Sequence, residues 1–222
     1  PPMYLEKRDN YFSELCTTIV EMYHDNGNKP VVLLAHSMGN NMAIYFTNWV
    51  LNNSDKVQQV ERAGATKSNG EAWLDKYVYS LFGIGGPYLG ACEALRSCIT
   101  GDDMGIGPAL LPAEHARKLC HHMGSGAWLL PAGRLAEEQP VAYDSVERKT
   151  ETSVRLADGV ASGHFEPRTV DEALRRHAAE HVAEQKQQWY GRDPCLPGGS
   201  SMMPPPVKRV FHVYGTNLDT QV

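Results

Sequence analysis

The apolar positions near the start of the chain switch between a helical and a strand pattern. At residues 11–23 they are spaced by three and four, as one face of an α-helix requires. After a cluster of turn-forming residues, the continuous apolar run at 31–35 predicts a short strand that is buried on both faces. Helical spacing returns over residues 38–51. The predicted order is therefore helix, strand, sharp turn and helix.

The remaining pattern predicts two more strands, separated by a long insertion. Residues 64–71 are polar and predict a loop, residues 77–82 predict a second strand, and residues 207–214 predict a third after three prolines. Strands that alternate with helices favour a mostly parallel sheet. The roughly 120 residues between the second and third strands are too many for a simple crossover, which indicates an inserted cap or lid.

The insertion itself has two kinds of segment. Residues 135–168 are charged and weakly periodic, and we expect them to be poorly ordered. Residues 170–189 regain helical spacing and predict one continuous helix. We therefore expect an α/β fold in which residues 1–91 form the core, residues 92–206 form the cap or lid, and residues 207–222 return to the core.

Composition narrows the range of functions. The 222 residues are 42% hydrophobic, enough for one sizeable core, and the net charge of −5 leaves no basic stripe for nucleic acid. Nucleic acid is therefore not an expected partner. No apolar run approaches the roughly 20 residues of a membrane-spanning helix. The five cysteines lack metal-binding spacing, although Cys92 and Cys98 are close enough in sequence to pair in an oxidising compartment.

A small-x-Ser-x-small pattern coincides with the predicted sharp turn. Ala35-His36-Ser37-Met38-Gly39 ends the first strand and opens the next helix, which is the setting of the nucleophile elbow in α/β-hydrolases. The backbone of such a serine is strained, and small residues on either side let strand and helix approach closely. Ser37 is therefore the candidate nucleophile, and the Met38 backbone N–H is the candidate oxyanion donor. His36 is expected to pack against its surroundings rather than act as the base.

Other parts of a hydrolase site are not visible in the sequence. The fold places nucleophile, acid and base in that chain order, and only 30 residues precede the predicted nucleophile strand. Asp219 follows the third predicted strand, roughly where a generic hydrolase has its acid, but no histidine follows it. We expect an α/β-hydrolase fold truncated at both ends, with the second oxyanion donor and the base outside this sequence.

Several sequence blocks resemble the lecithin:cholesterol acyltransferase family. They are YFSELCTTIVEMY, KPVVLLAHSMGN, YFTNWV, FGIGGPYLGACEAL, TGDDMGIGPALLP, AWLLP and VFHVYGTN. The blocks cover most of residues 11–131 and then residues 207–217, whereas residues 132–206 show no match. Within the family, Met38 after Ser37 and the helix that carries Trp49 favour the phospholipid:diacylglycerol acyltransferase branch.

This resemblance implies a lipid O-acyltransferase that needs neither cofactor nor metal. It places the nucleophile on Ser37 and an oxyanion N–H on Met38, and it moves the acid to a segment beyond Val222, which removes Asp219 from the candidates. It also implies a phospholipid acyl donor, a diacylglycerol or sterol acceptor, a membrane-surface substrate, and a location at the luminal face of the endoplasmic reticulum or in another membrane-associated compartment. A phospholipase A-type lipase or a sterol acyltransferase on the same scaffold is the alternative.

Two further functions compete with this interpretation. His177-Ala178-Ala179-Glu180-His181 matches the HxxEH pattern of a zinc metallopeptidase, provided that one helix places both histidines on the same face. The charged residues around it instead favour a solvated helix face. A hydrolase fold without catalysis is the third hypothesis. The glycines between Gly83 and Gly86 are expected to let the backbone pass close to a substrate pocket.

Overall fold

The structure is a computed structural model that describes residues 2–61, 69–102, 106–131, 170–177, 179–190, 193–196 and 203–215. These residues divide into two compact units. The first contains the described residues up to Tyr88 together with 193–196 and 203–215, and the second contains those from Leu89 to 190. The segment 135–168, which we expected to be poorly ordered, and Asp219 lie outside the described residues.

The first unit combines helices with three strands. Its elements are α1 (Pro2–Asp9), α2 (Tyr11–Asp25), β1 (Val31–His36), α3 (Met38–Asn52), α4 (Ser54–Gln59), α5 (Gly70–Tyr77), β2 (Val78–Ile84) and β3 (Val210–Val213). The strands form a sheet in the order β1-β2-β3, and both pairings are parallel. The predicted parallel sheet is thus confirmed for these strands, and the mixed α/β arrangement is consistent with a hydrolase-like fold. The third strand is shorter than the sequence predicted.

The prediction that the first strand is buried on both faces is wrong. Ala35 is buried, in a cluster with Leu81 of β2 and Ile44 of α3, because helix α3 packs on that side of the sheet. On the opposite face Val32 and Leu34 are 55% and 70% exposed. Among the described residues, this face of the sheet has no comparable helical cover.

An aromatic core joins α2 to α3. The ring of Phe12 lies 5.3 Å from that of Tyr45, 6.0 Å from Phe46 and 5.4 Å from Trp49, measured between centroids. Phe12 is completely buried, so the apolar spacing predicted for each helix is confirmed here, and the structure adds that the two apolar faces pack against one another. This packing holds α3 in place, and the beginning of α3 carries the sharp turn.

The predicted loop at 64–71 is wrong at its end, because α5 begins at Gly70. The side chain of Asn69 accepts a hydrogen bond from the Ala72 backbone N–H at 2.8 Å and so caps the helix. Trp73 and Tyr77 then bury one side of the helix. Asparagine is typical of loops, but Asn69 marks the beginning of a helix.

The second unit is helical in its described part. Its elements are α6 (Cys92–Thr100), α7 (Ala113–His122), α8 (Gly124–Trp128), α9 (Val170–Arg176) and α10 (Glu180–Tyr190). The continuous helix predicted over 170–189 is wrong, because the Leu174 carbonyl accepts from the N–H of His177 at 3.2 Å and of Ala179 at 2.8 Å. These bonds close a turn, and Leu174 and Val182 on either side of it are both fully buried.

The described residues contain no helix that is long and apolar enough to cross a membrane.

Candidate active site

Ser37 occupies a strained turn between β1 and α3. Its backbone has φ 51° and ψ −132°, a positive φ that this chain otherwise shows, outside glycine, only at Asn10 and Asn28 among the described residues. Such a conformation costs about 1–3 kcal/mol and persists only where the surroundings hold it. The Ser37 N–H donates to the Ile84 carbonyl at 3.0 Å, and the Ser37 carbonyl accepts from the Asn40 N–H at 3.0 Å. Both backbone groups of the serine are therefore held.

The Ser37 side chain is exposed at the point where a nucleophile elbow presents its hydroxyl. Met38 is the first residue of α3, and the first N–H groups of a helix have no acceptor within the helix. These groups carry the positive end of the helix dipole, which favours a developing negative charge. The geometry thus suits both predicted roles, although the roles themselves stay predictions.

Two details of the elbow differ from the sequence argument. His36, expected to pack, is exposed at the end of β1. Gly39 was expected to be small because strand and helix approach closely, but a Cβ atom built there meets no described atom within 4 Å. The close approach that glycine permits occurs elsewhere, on the neighbouring strand.

That approach is at Gly83 in β2. A Cβ atom at this position would overlap the Asn40 side-chain oxygen and lie 2.7 Å from the Tyr88 hydroxyl and 3.3 Å from His212 Nδ1. At Gly86 a Cβ atom would lie 2.5 Å from Tyr88 Cζ. Real Cβ atoms do not tolerate such contacts. Gly83 and Gly86 therefore make room for polar side chains beside the elbow, and the expected approach of this segment to a substrate pocket stays a prediction.

The polar group that they accommodate was not predicted from the sequence. Asn40 is completely buried in the first turn of α3, and its Nδ2 donates to the carbonyls of Ser37 at 2.9 Å and Ile84 at 3.0 Å. Its Oδ1 lies 3.0 Å from the Tyr88 hydroxyl, which also lies 2.7 Å from His212 Nδ1. The one local signal was an asparagine pair directly after the elbow, since asparagine is a poor helix former.

The HxxEH pattern does not have the backbone that a zinc site of this kind requires. Its first histidine, His177, follows the end of α9, and His181 lies in the first turn of α10, so one helix does not carry both. The expectation of a shared helix face is therefore wrong. In the part of the chain that the structure describes, no group of three or more His, Cys, Asp or Glu side chains is placed to hold a metal ion.

His181 has structural neighbours instead. Its ring packs edge-on against His121, with centroids 4.7 Å apart and planes at 75°. His121 is buried, and its Nε2 lies 2.8 Å from the Cys98 carbonyl, so this nitrogen carries the proton and donates it. Burial lowers the pKa of His121, and the nearby His181 and Arg117 lower it further against the hydrogen bond to Cys98.

The cysteine pair suggested by the sequence is not the one that the fold brings together. Cys98 Sγ lies 3.0 Å from Cys120 Sγ, both buried, whereas Cys92 is exposed, and all are free thiols. The hydrogen bond to Cys120, together with burial, raises the pKa of the Cys98 thiol.

Known proteins resemble the whole of this chain or about half of it. It is 26% identical to a phospholipid–sterol O-acyltransferase of Arabidopsis thaliana in an alignment that covers 100% of this chain and 40% of that protein. It is 33% identical to the phospholipid:diacylglycerol acyltransferase of Saccharomyces cerevisiae over 44% of this chain and 13% of that protein. It is 34% identical to the human lysosomal phospholipase A and acyltransferase over 54% of this chain and 24% of that protein.

The chain thus spans less than half the length of each of these relatives. Their names describe acyl transfer and phospholipid cleavage, with a sterol or diacylglycerol as acceptor where one is named. The model of the lecithin:cholesterol acyltransferase family matches residues 3–222. The chain belongs to the lecithin:cholesterol acyltransferase family.

Proposed function

We propose that this protein transfers an acyl chain from a phospholipid to diacylglycerol, with Ser37 as the nucleophile. The observation that carries the proposal is the backbone of Ser37, which is exposed, has φ 51° and precedes a 15-residue helix. A strained turn of this kind is expensive to maintain, and such strain is concentrated at functional sites. Membership of a family of lipid acyltransferases supports the same chemistry.

The reaction would run in two halves through a covalent intermediate. In the first, Ser37 Oγ bonds to the ester carbonyl carbon of the phospholipid while a general base takes the hydroxyl proton. The oxyanion that forms accepts a hydrogen bond from the Met38 N–H. The carbon–oxygen bond to the lysophospholipid then breaks, and the proton passes to the departing oxygen. In the second half, the base takes the proton of the diacylglycerol hydroxyl while its oxygen bonds to the acyl carbon. The bond from that carbon to Ser37 Oγ breaks, the proton returns to Ser37, and triacylglycerol leaves.

The acceptor decides between the proposed function and its alternatives. Water as acceptor would make the protein a phospholipase, and the 34% identity to the human phospholipase A and acyltransferase favours this as the second candidate. A sterol acceptor would follow the Arabidopsis relative. We favour diacylglycerol because Met38 and the Trp49 helix resemble that branch, and we assign residues 92–206 to a cap that keeps water from the acyl-enzyme.

The test is a product analysis with radiolabelled phospholipid in vesicles that contain both diacylglycerol and sterol. We expect label in triacylglycerol, lysophospholipid release in equal amount, and loss of both in Ser37→Ala. Ser125→Ala, which removes a hydroxyl from the second unit, is the matched control and should retain activity. Label mainly in free fatty acid or in sterol ester would replace the proposed acceptor, and turnover that survives Ser37→Ala would overturn the nucleophile.

We place the enzyme at a membrane surface, in the lumen of the endoplasmic reticulum or another membrane-associated compartment, because its proposed donor and acceptor are both lipids. Flotation of the protein with phospholipid vesicles tests the surface association. Failure to float with vesicles that contain donor and acceptor would argue against this placement.

A further inference from the structure

The buried Asn40 side chain has only one possible orientation. Its Nδ2 lies within 3.0 Å of two carbonyl oxygens, those of Ser37 and Ile84. A carbonyl oxygen only accepts hydrogen bonds, so the atom that faces both must be the NH2 group. The Asn40 side-chain oxygen consequently points to Tyr88. Asn40 is 0% exposed, so this oxygen cannot obtain its hydrogen bond from bulk water.

Tyr88 has one proton to give and two neighbours that could take it. Among the described residues, its hydroxyl is the only donor within reach of the Asn40 oxygen, at 3.0 Å. Burial raises the pKa of Tyr88, so the hydroxyl keeps its proton at neutral pH. If it donated to His212 instead, a fully buried oxygen would lose its partner, at a cost of about 1–3 kcal/mol. The proton therefore points to Asn40.

The direction of this bond determines which nitrogen of His212 is protonated. The Tyr88 oxygen lies 2.7 Å from His212 Nδ1 and can only accept from it, because its own proton is already engaged. The neutral histidine must then carry its proton on Nδ1 and leave Nε2 unprotonated. The sheet sets the backbone position of His212, because His212 pairs with Gly83 and Gly83 pairs with Ala35.

We propose that His212, Tyr88 and Asn40 form a one-way hydrogen-bond chain that ends on the carbonyl of Ser37 and holds the nucleophile in its strained turn. His212 Nδ1–H donates to the Tyr88 hydroxyl, which donates to the Asn40 oxygen, whose NH2 group donates to the Ser37 and Ile84 carbonyls. His212 and Tyr88 are positioning residues, since they act through Asn40. The structural part of this inference is independent of the reaction, whereas its effect on turnover rests on the proposed function.

The hydrogen-bond chain requires glycine at position 83. A side chain at this central position of the sheet would occupy the space in which the three polar groups meet. Because β3 supplies His212, the end of the last described strand is linked to a turn that follows the first strand. The fold thus uses a residue distant in sequence to stabilise the backbone of Ser37.

The direction of the chain can be tested by two nearly isosteric variants. The amide nitrogen of Asn can replace the Nδ1–H donor, whereas the carboxylate of Asp can only accept. We expect His212→Asn to retain most of the wild-type acyl transfer and His212→Asp to lower kcat roughly tenfold or more, with KM little changed, because small misplacements of a nucleophile are costly. Tyr88→Phe should resemble His212→Asp. Equal activity of the Asn and Asp variants, or the reverse order, would overturn the direction.

A spectroscopic measurement separates this inference from the proposed function. In the 15N-labelled protein, with the ring in its neutral form, the unprotonated ring nitrogen of His212 should be Nε2, and Tyr88→Phe should abolish this preference. An unprotonated Nδ1 in His212 would overturn the proposed hydrogen-bond chain, whether or not the protein transfers acyl groups. If instead the tautomer is as expected but no acyl transfer occurs in the wild type, only the proposed function fails.

Discussion

The residues around Ser37 and the residues 177–181 are two short sequence patterns in different backbone settings. Ser37 follows a strand that is paired in a sheet and precedes a 15-residue helix whose aromatic residues are buried. The 177–181 segment spans a break between a helix of seven residues and one of eleven. The elbow needs one turn at a strand end, whereas HxxEH needs a continuous helix. A pattern therefore predicts chemistry only where the flanking elements supply the backbone that it requires.

The largest expected difference between the two patterns is in reaction with a serine-directed reagent. A fluorophosphonate should label the wild-type protein, and Ser37→Ala should reduce both labelling and acyl transfer by about 10³-fold or more, because the nucleophile is lost. The double variant His177→Ala and His181→Ala should keep labelling and acyl transfer within about threefold of the wild-type values, since the proposed reaction uses neither side chain.

The opposite result would be loss of activity in the double variant His177→Ala and His181→Ala but not in Ser37→Ala. It would contradict the assignment of the chemistry to the Ser37 pattern. Inhibition by a zinc chelator, together with stoichiometric zinc in the purified protein, would then favour the metallopeptidase hypothesis. Circular dichroism of each variant serves as the control for folding.

A smaller effect distinguishes the two glycines beside the elbow. Gly83→Ala should lower the free energy of unfolding by about 2–4 kcal/mol, because its methyl group displaces buried hydrogen-bonded groups. Gly39→Ala places its methyl group in open space within a helix, where alanine is favoured over glycine. It should leave stability unchanged or raise it by up to about 1 kcal/mol. Urea denaturation measures both, and equal losses would show that the elbow pattern itself demands Gly39.

Replacing His181 in the 177–181 segment is expected to change the stability of the fold rather than the activity. His181→Ala should lower the free energy of unfolding by about 1 kcal/mol, because the ring contact with His121 is lost. His181→Phe keeps an aromatic ring but cannot bind a metal, so it should restore most of that loss. If Phe is no better than Ala, the contact with His121 is not what the ring contributes.

The smallest effect is a pH dependence of stability. Burial holds the pKa of His121 below its ordinary 6.5, so the unfolded chain binds more protons than the folded one as the pH falls through that range. Stability should therefore decrease below about pH 6.5, and the lowered pKa of His177 adds to the same trend. His121→Gln keeps an N–H donor toward the Cys98 carbonyl without titrating, so its stability should depend less on pH. An unchanged slope would contradict this assignment.

Local patterns predicted much of the first unit. The apolar spacing of α2 and α3, each of which buries one periodic face, and the continuous apolar run at β1 identified these elements to within about two residues. The same reasoning failed at α5 and at the break between α9 and α10. The signals there are a single capping side chain at Asn69 and one carbonyl, that of Leu174, which accepts two bonds. Neither changes the apolar period.

The sequence by itself determined the family, the parallel α/β arrangement and the location of Ser37 between a strand and a helix, since all of these depend on residues that are neighbours in the chain. Only the tertiary structure decided which face of β1 is covered and which cysteine lies beside Cys98. It also showed that position 83 requires glycine because polar side chains occupy the space of a Cβ atom. It also brought Tyr88 and His212, which are 124 residues apart, into contact beside Asn40. The physical reason is that such contacts depend on strand order and register in the sheet, which no local spacing encodes.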